Sequence, residues 1–132
     1  MEKMISDKEL CEIAVNIQKN AYAPYSEFRV GAALLCKDGS VYTGVNIENA
    51  SFGATICAER CAIFKAVSDG KKDFVKIAIT SSSNDFTMPC GMCRQVMSEF
   101  MEDGAVIVTN GKEIKSFKVS ELLPGSFSFK KE

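Results

Sequence analysis

Three cysteines and one glutamate in this chain have the side chains and the spacing needed to bind a metal ion and move a proton. Cys57 lies two residues before Glu59, and Cys90 and Cys93 lie in the segment 89–93, which reads PCGMC. A zinc ion held by three protein ligands keeps its fourth tetrahedral position for water. A carboxylate beside that water can accept a proton and later return it. The pattern therefore predicts metal-assisted hydrolysis.

Composition limits which side chains could do this chemistry. The 132 residues include six cysteines and no histidine, so a zinc site has to use thiolates and acid–base catalysis has to use carboxylates. The net charge is −1, and the lysines and arginines are scattered along the chain instead of forming a basic patch. We therefore expect a small-molecule substrate and no nucleic-acid partner.

Targeting signals are also missing from the sequence. It contains no signal-peptide pattern and no run of about 18 apolar residues that would cross a membrane. We expect a cytoplasmic protein without membrane contact. Its cysteines are then expected to be thiols or metal ligands and not disulfides.

The sequence leaves two kinds of metal site open. Cys61 follows Cys57 by one helical turn, so four thiolates could form a closed structural site. The alternative is three thiolates and a water, which Glu59 favours because a closed site has no use for a neighbouring carboxylate. Three thiolates on a divalent ion leave excess negative charge. We expect Arg60 and Arg94 to offset it, unless they are ordinary surface residues.

Hydrophobic periodicity and turn residues predict the elements that must position these groups. Ser6 and Glu9 form a capping-box pattern before the first helix, and Asp38-Gly39 predicts a hairpin turn. Helices are predicted from Asp7 to Asn20, over 57–69, and from Pro89 to a stop at Gly104, with a last single turn capped by Ser120. Strands are predicted over 28–36, 41–45, 75–80, 105–109 and 114–119. This order is typical of an α/β domain with a mixed sheet and helices on its faces. Both cysteine motifs fall where a loop enters a helix, and a helix N-terminus stabilises thiolates.

In these motifs the sequence resembles the zinc-dependent cytidine deaminases, specifically their small three-cysteine form. Zinc deaminases carry a His- or Cys-x-Glu motif followed by Pro-Cys-x-x-Cys, which matches residues 57–59 and 89–93 here. Segments 22–34, 44–50 and 121–125 also look like the family's sequence. The resemblance implies a single domain over residues 1–132 with a three-layer α/β/α cytidine-deaminase-like fold and a mixed five-stranded sheet. It also implies one Zn²⁺ per subunit and a homotetramer with active sites at subunit interfaces.

The resemblance implies a role for each matching residue. Cys57, Cys90 and Cys93 would bind zinc, and Glu59 would shuttle protons. The implied substrate contacts are Phe28 against the pyrimidine ring, Asn46 and Glu48 on the ribose 3′-hydroxyl, the Ala58 backbone on the base, and Phe127 from a neighbouring subunit. The implied reaction, a step of pyrimidine salvage, is hydrolysis of free cytidine and deoxycytidine by a zinc-bound hydroxide. The products are ammonia and uridine or deoxyuridine.

Other interpretations of the same motifs stay open. A polynucleotide deaminase would want a basic groove, which this composition lacks. An antibiotic deaminase of the blasticidin type shares both motifs, although the Asn46-x-Glu48 pair favours ribose recognition. A structural zinc module would use Cys61, which stands where the family often has threonine. Phe52 replaces a frequent tyrosine, and Phe28 at the start of an apolar strand could simply be a core residue.

Overall fold

One five-stranded sheet runs through residues 4–129, the part of the chain that this computed structural model describes. Its strands are β1 (Val30–Cys36), β2 (Val41–Val45), β3 (Phe74–Ser81), β4 (Ala105–Thr109) and β5 (Ile114–Lys118), in the spatial order β2-β1-β3-β4-β5. Strands β3 and β4 are parallel and the other neighbours are antiparallel. The predicted mixed five-stranded sheet is confirmed.

Helices cover both faces of this sheet. They are α1 (Asp7–Gln18), α2 (Ala58–Ser68), α3 (Gly91–Phe100) and α4 (Val119–Leu122), with a short 3₁₀ helix at Phe52–Ala54. Buried residues of α1 pack on one face, and those of α2 and α3 pack on the other. Strand β1 is buried along its whole length, as expected for a strand covered on both faces. The three-layer α/β/α prediction is confirmed.

One buried cluster lies on each face of this single sheet, so residues 4–129 are organised around the same sheet. The prediction of one domain over 1–132 includes residues 1–3 and 130–132, which lie outside the described residues. Among the described residues, no helix combines the length and the apolar character that crossing a lipid bilayer requires.

The first helix begins where the capping-box pattern predicts. The Ser6 hydroxyl accepts the Glu9 backbone N–H at 3.1 Å, and the Glu9 carboxylate accepts the Ser6 N–H at 3.0 Å. The helix ends at Gln18 and not at Asn20, because the Asn20 N–H binds the Ile17 carbonyl three residues back. That shorter spacing closes a turn and stops the α-helical ladder.

Strand β1 begins two residues later than predicted. Phe28 lies in the preceding loop, where its N–H binds the Ser26 hydroxyl at 3.0 Å and its carbonyl binds the Asn46 amide at 2.7 Å. These side-chain partners replace the ladder bonds that a strand residue would make. Phe28 is 40% exposed, so it is not a core residue of the isolated chain.

Three further helix-end predictions are wrong. Helix α3 begins at Gly91 and not at Pro89, because Cys90 keeps an extended conformation and serves as the N-cap. The same helix ends at Phe100, and Gly104 instead permits close packing, since a Cβ there would lie 2.9 Å from the Val75 carbonyl oxygen. Ser120 lies inside α4, which is capped by a bond from the Lys118 N–H to the Glu121 carboxylate at 2.8 Å.

Candidate metal centre

Three cysteine sulfurs converge at one end of the sheet. The Sγ atoms of Cys57, Cys90 and Cys93 lie within 4.8 Å of one another. Cys90 Sγ is 3.7 Å from Cys57 Sγ and 3.4 Å from Cys93 Sγ. Two sulfurs that bind the same tetrahedral zinc at about 2.3 Å stand about 3.8 Å apart. The spacing and the chemistry of these donors therefore fit a zinc ion.

Two helix N-termini hold the three sulfurs. Cys57 is the N-cap of α2 and Cys90 is the N-cap of α3, with Cys93 in the first turn of α3. Helix α3 connects the parallel strands β3 and β4, so its N-terminus lies at the carboxyl ends of these strands, where α/β proteins usually bind ligands. Both N-termini carry partial positive charge, which stabilises thiolates.

The local environment favours a thiolate at Cys57. A hydrogen bond from the Cys93 thiol, together with the Arg60 guanidinium and the Cys90 thiol, lowers the pKa of Cys57 to about 5. The same proton sharing with Cys57, together with burial, raises the pKa of Cys93. Metal binding requires the deprotonated thiol, so Cys57 is prepared to bind a cation.

Arg60 and Arg94 lie beside the cysteines but make different contacts. Arg60 Nη2 donates to Cys57 Sγ at 3.3 Å, and its Nε is buried without a hydrogen-bond partner among the described residues. Arg94 donates to the Pro89 carbonyl at 2.8 Å and to the Leu122 carbonyl at 2.9 Å. The geometry therefore supports charge compensation at a sulfur for Arg60, whereas Arg94 binds backbone carbonyls.

Glu59 is a buried carboxyl group next to the sulfurs. It is the second residue of α2 and is 4% exposed. Burial raises its pKa to about 7, and hydrogen bonds from its own backbone N–H and from the Cys93 thiol partly oppose that rise. A carboxyl group that is held in a dry site at the metal-ligand cluster is suited to take up and release a proton.

Cys61 does not join the other three cysteines in the metal-binding cluster that is found among the described residues. It lines an open cleft of about 630 Å³ together with Tyr42, Ile47 and Phe64. The geometry therefore favours three sulfur ligands and an open fourth position over a closed site of four thiolates.

The substrate-contact candidates Asn46 and Phe28 are joined to each other. Asn46 is buried, its Oδ1 accepts the Val30 N–H at 2.9 Å, and its Nδ2 donates to the Phe28 carbonyl at 2.7 Å. The amide thus fixes the segment that carries Phe28. Within the part of the chain that the structure describes, one Nδ2 proton and one Oδ1 lone pair remain for another partner.

Glu48 is half-buried, and its carboxylate holds the loop that contains Tyr25 and Ser26. Its Oε1 accepts the backbone N–H groups of Tyr25 at 3.0 Å and Ser26 at 3.1 Å, and its Oε2 accepts the Ser26 hydroxyl. These hydrogen bonds, chiefly the one from the Ser26 hydroxyl, hold the pKa of Glu48 below its ordinary value. Glu48 is therefore an ionised acceptor at neutral pH.

The C-terminal candidate Phe127 is fastened to the helix that carries Cys93. Gln95 Nε2 donates to the Phe127 carbonyl at 3.1 Å, while the Phe127 ring is 66% exposed. The ring contacts Phe129 edge to face at 5.2 Å. An exposed aromatic pair on an anchored backbone can contact a second subunit or a ligand.

A family model for the "cytidine and deoxycytidylate deaminase zinc-binding region" matches residues 4–110. This range includes the three clustered cysteines and Glu59. The chain belongs to this deaminase family.

Individual members of the deaminase family match most of the chain. A cytidine deaminase of Halalkalibacterium halodurans is 52% identical over 121 residues, covering 90% of this chain and 92% of the relative. The crystal structure of a cytidine deaminase from Burkholderia pseudomallei has a TM-score of 0.89 and 40% identity, covering 93% of this chain and all of that one. The cytidine-deaminase-like fold is thereby confirmed.

The deaminase family also includes a relative with a different named activity. A blasticidin-S deaminase of Bacillus cereus is 37% identical over 127 residues, covering 89% of each chain. Family membership shows a zinc hydrolase that removes an amine, and the residues around the cysteine cluster have to select the substrate.

Sequence reasoning missed two residues that position the deaminase site. A Cβ on Gly44 would lie 2.3 Å from the Ala58 carbonyl oxygen, so glycine lets α2 approach β2 at the turn that carries Cys57. The Ser26 hydroxyl bridges Glu48 and the Phe28 backbone. The sequence signal for Gly44 is a glycine inside a predicted strand, which often marks close backbone approach. Ser26 has no such signal in the sequence. One partner of its hydroxyl, Glu48, is 22 residues away, and the other is the backbone N–H of Phe28, which any residue type would offer.

Proposed function

We propose that this protein hydrolyses the exocyclic amine of free cytidine and deoxycytidine, giving ammonia and uridine or deoxyuridine. The observation that carries the proposal is a cluster of three thiols within 4.8 Å, with the buried Glu59 carboxyl group against Cys93. The relatives named cytidine deaminase at up to 52% identity support the choice of substrate. The proposal includes a role in pyrimidine salvage, which a free nucleoside substrate supports, and a cytoplasmic location.

The proposed metal ligands are Cys57, Cys90 and Cys93, which would hold one zinc ion per subunit. Bound there, zinc supplies Lewis-acid activation that makes water nucleophilic near neutral pH. Arg60 donates to the Cys57 sulfur and would offset the negative charge of three thiolates. The second arginine, Arg94, would contribute its charge while its hydrogen bonds go to backbone carbonyls.

Glu59 is proposed to move the protons of the reaction. Its carboxylate accepts a proton from the attacking water and delivers it to ring nitrogen N3 of the pyrimidine. Attack of the water oxygen at C4 then gives a tetrahedral carbon. Glu59 moves the remaining proton of that oxygen to the amine, and the C4–N bond breaks to release ammonia as the C4 carbonyl forms. One buried carboxylate can be base and then acid because it stays beside both groups.

Phe28, Asn46, Glu48 and Ala58 are proposed to select the nucleoside. The half-exposed Phe28 ring would pack against the pyrimidine, and the Ala58 backbone would bind the base. The free Nδ2 proton of Asn46 and the ionised Glu48 carboxylate would bind the ribose 3′-hydroxyl, one donating and the other accepting. Because neither residue is assigned to the 2′ position, both cytidine and deoxycytidine should be substrates.

Exposed aromatic rings support a shared site between subunits. Phe127 and Phe52 are 66% and 81% exposed, and large apolar side chains in such settings commonly mark interaction surfaces. We infer a homotetramer in which Phe127 reaches the substrate of a neighbouring subunit.

The decisive experiment follows the absorbance of cytidine, deoxycytidine and blasticidin S with purified protein. The proposal predicts turnover of both nucleosides, loss of activity after dialysis against a chelator, and recovery when zinc is added back. Turnover of blasticidin S without turnover of cytidine would support the antibiotic-deaminase alternative and contradict the proposal. Comparable turnover of cytidine and deoxycytidine is expected, and a strong preference for one would contradict recognition through the 3′-hydroxyl.

A further inference from the structure

The Ser26 hydroxyl connects two residues that the proposed function places on different parts of the substrate. It donates to Glu48 Oε2 and accepts the Phe28 N–H at 3.0 Å. A hydroxyl has one proton and two lone pairs, so it can make both bonds at once. The sugar-facing carboxylate and the base-facing ring are therefore joined through one side chain.

The orientation of Glu48 depends largely on Ser26. Among the described residues, the Glu48 carboxylate accepts three hydrogen bonds, and two of them come from Ser26, through its backbone N–H at 3.1 Å and its hydroxyl. The third comes from the Tyr25 N–H at 3.0 Å and shares Oε1 with the Ser26 N–H. Within residues 4–129, the Ser26 hydroxyl is the one group that binds Oε2, so it sets the rotation of the carboxylate plane.

The backbone beside Ser26 is held in a conformation that has to be stabilised by its surroundings. Glu27 has a φ of 59°, in the left-handed region that non-glycine residues seldom adopt. Its N–H binds the Ala23 carbonyl at 3.0 Å, and the bonds of Ser26 lie immediately before it. Residues in such regions persist where nearby interactions fix them, often at ligand sites.

Space for a ligand group lies next to these contacts. A cleft of about 320 Å³ is lined by Tyr25, Ser26, Glu48, Phe52 and Thr55. Because Glu48 and Ser26 both line this cleft, a sugar hydroxyl that enters it can meet the Glu48 carboxylate.

We propose that Ser26 is a positioning residue, which orients the Glu48 carboxylate towards the sugar 3′-hydroxyl. This inference rests on the proposed nucleoside deaminase function. Phe28 keeps a second anchor through Asn46, at 2.7 Å, when the Ser26 hydroxyl is removed. The main loss after that removal should therefore fall on the sugar and not on the base.

The test compares wild type, Ser26→Ala and Ser26→Thr, using binding of the product uridine and of 3′-deoxyuridine by isothermal titration calorimetry. We expect Ser26→Ala to weaken uridine binding about tenfold, the usual effect of losing a hydrogen bond to a charged group. Binding of 3′-deoxyuridine should weaken less than about threefold, because that ligand lacks the group that Glu48 binds. Ser26→Thr keeps the hydroxyl, so its affinity for uridine should stay within about threefold of that of wild type.

Ser82→Ala is the matched control. The Ser82 hydroxyl also accepts a backbone N–H, that of Arg29 at 3.1 Å, and Ser82 is exposed like Ser26, but it makes no bond to Glu48. Its substitution should weaken both ligands equally or neither.

Two results would overturn the inference. One is an equal loss of affinity for both ligands in Ser26→Ala, and the other is no loss for either. Zinc content and cytidine turnover are measured on the same preparations. If the wild-type protein binds zinc but neither deaminates cytidine nor binds uridine, the proposed function itself is contradicted. The role proposed for Ser26 would then fall with it.

Discussion

Gly44 and Ala58 touch so closely that a side chain on Gly44 would stand 2.3 Å from the Ala58 carbonyl oxygen. That carbonyl belongs to the first turn of α2, next to Cys57 and Glu59. Helix α2 can therefore lie this close to strand β2 because residue 44 has no Cβ atom.

Gly44→Ala should destabilise the fold and disturb the cysteine cluster. The added Cβ would also lie 2.5 Å from the Ala62 N atom, so backbone and not a flexible side chain has to move. We expect the free energy of unfolding to fall by about 1–3 kcal/mol. Urea unfolding measures this, and zinc content should fall with it. Gly53→Ala is the control, because a Cβ there meets nothing within 4 Å; equal stability of the two variants would contradict the packing argument.

Cys61 and Cys93 should respond differently to the same substitution. Cys93 is buried within the sulfur cluster, whereas Cys61 lies outside it. Cys61→Ser is expected to keep one zinc per chain, and Cys93→Ser to lose it, because serine is a poor zinc ligand. Elemental analysis of the purified variants gives the metal content. Loss of zinc in Cys61→Ser would support a closed site of four thiolates and argue against hydrolysis.

Glu59→Gln should separate metal binding from catalysis. The amide keeps the shape of the side chain but cannot accept the proton of water, so kcat for cytidine should fall by about 10²–10⁴-fold. Zinc content should stay unchanged, because Glu59 is not one of the clustered ligands. Glu99→Gln, on an exposed position of α3, is the matched control and should keep full activity. An active Glu59→Gln variant would refute the proton-transfer role.

Glu48 should stabilise the protein at neutral pH and lose that effect in acid. Its folded-state pKa lies below the ordinary value of 4.5, chiefly because of the Ser26 hydroxyl. Folding therefore favours the ionised form, and this stabilisation is complete above the unfolded-state pKa and disappears as pH falls through the folded-state pKa. Glu48→Gln should be less stable than wild type at pH 7, and the difference should shrink below about pH 4. Urea midpoints across that range would show it, and a constant difference would contradict the argument.

The sequence was informative where one residue type has a strong local preference. Ser6 and Glu9 predicted the start of α1, and the turn at Asp38-Gly39 placed β2 correctly, with Gly39 at a φ of 91°. The cysteine motifs predicted the metal cluster because their spacing fixes them on helix N-termini. Each of these signals depends on residues a few positions apart, so it can be recognised without knowing the tertiary contacts.

Tertiary contacts explain what the sequence could not predict. Phe28 stands at the start of the segment that the sequence predicts as a strand, yet Ser26 and the distant Asn46 bind its backbone and keep it in a loop. Arg94 adjoins a cysteine in sequence, but its guanidinium reaches the carbonyl of Leu122, 28 residues away. Both outcomes depend on partners that meet only after the sheet has formed.

The parallel pairing of β3 and β4 has a consequence for how such proteins change their specificity. The clustered sulfurs lie at helix starts that pack on this sheet, whereas Phe28, Glu48 and Phe127 lie outside the named strands and helices. Loops can be exchanged at lower cost to stability than helix starts. A new amine-bearing substrate could therefore be accommodated by remodelling these outer segments while the reactive centre keeps its geometry.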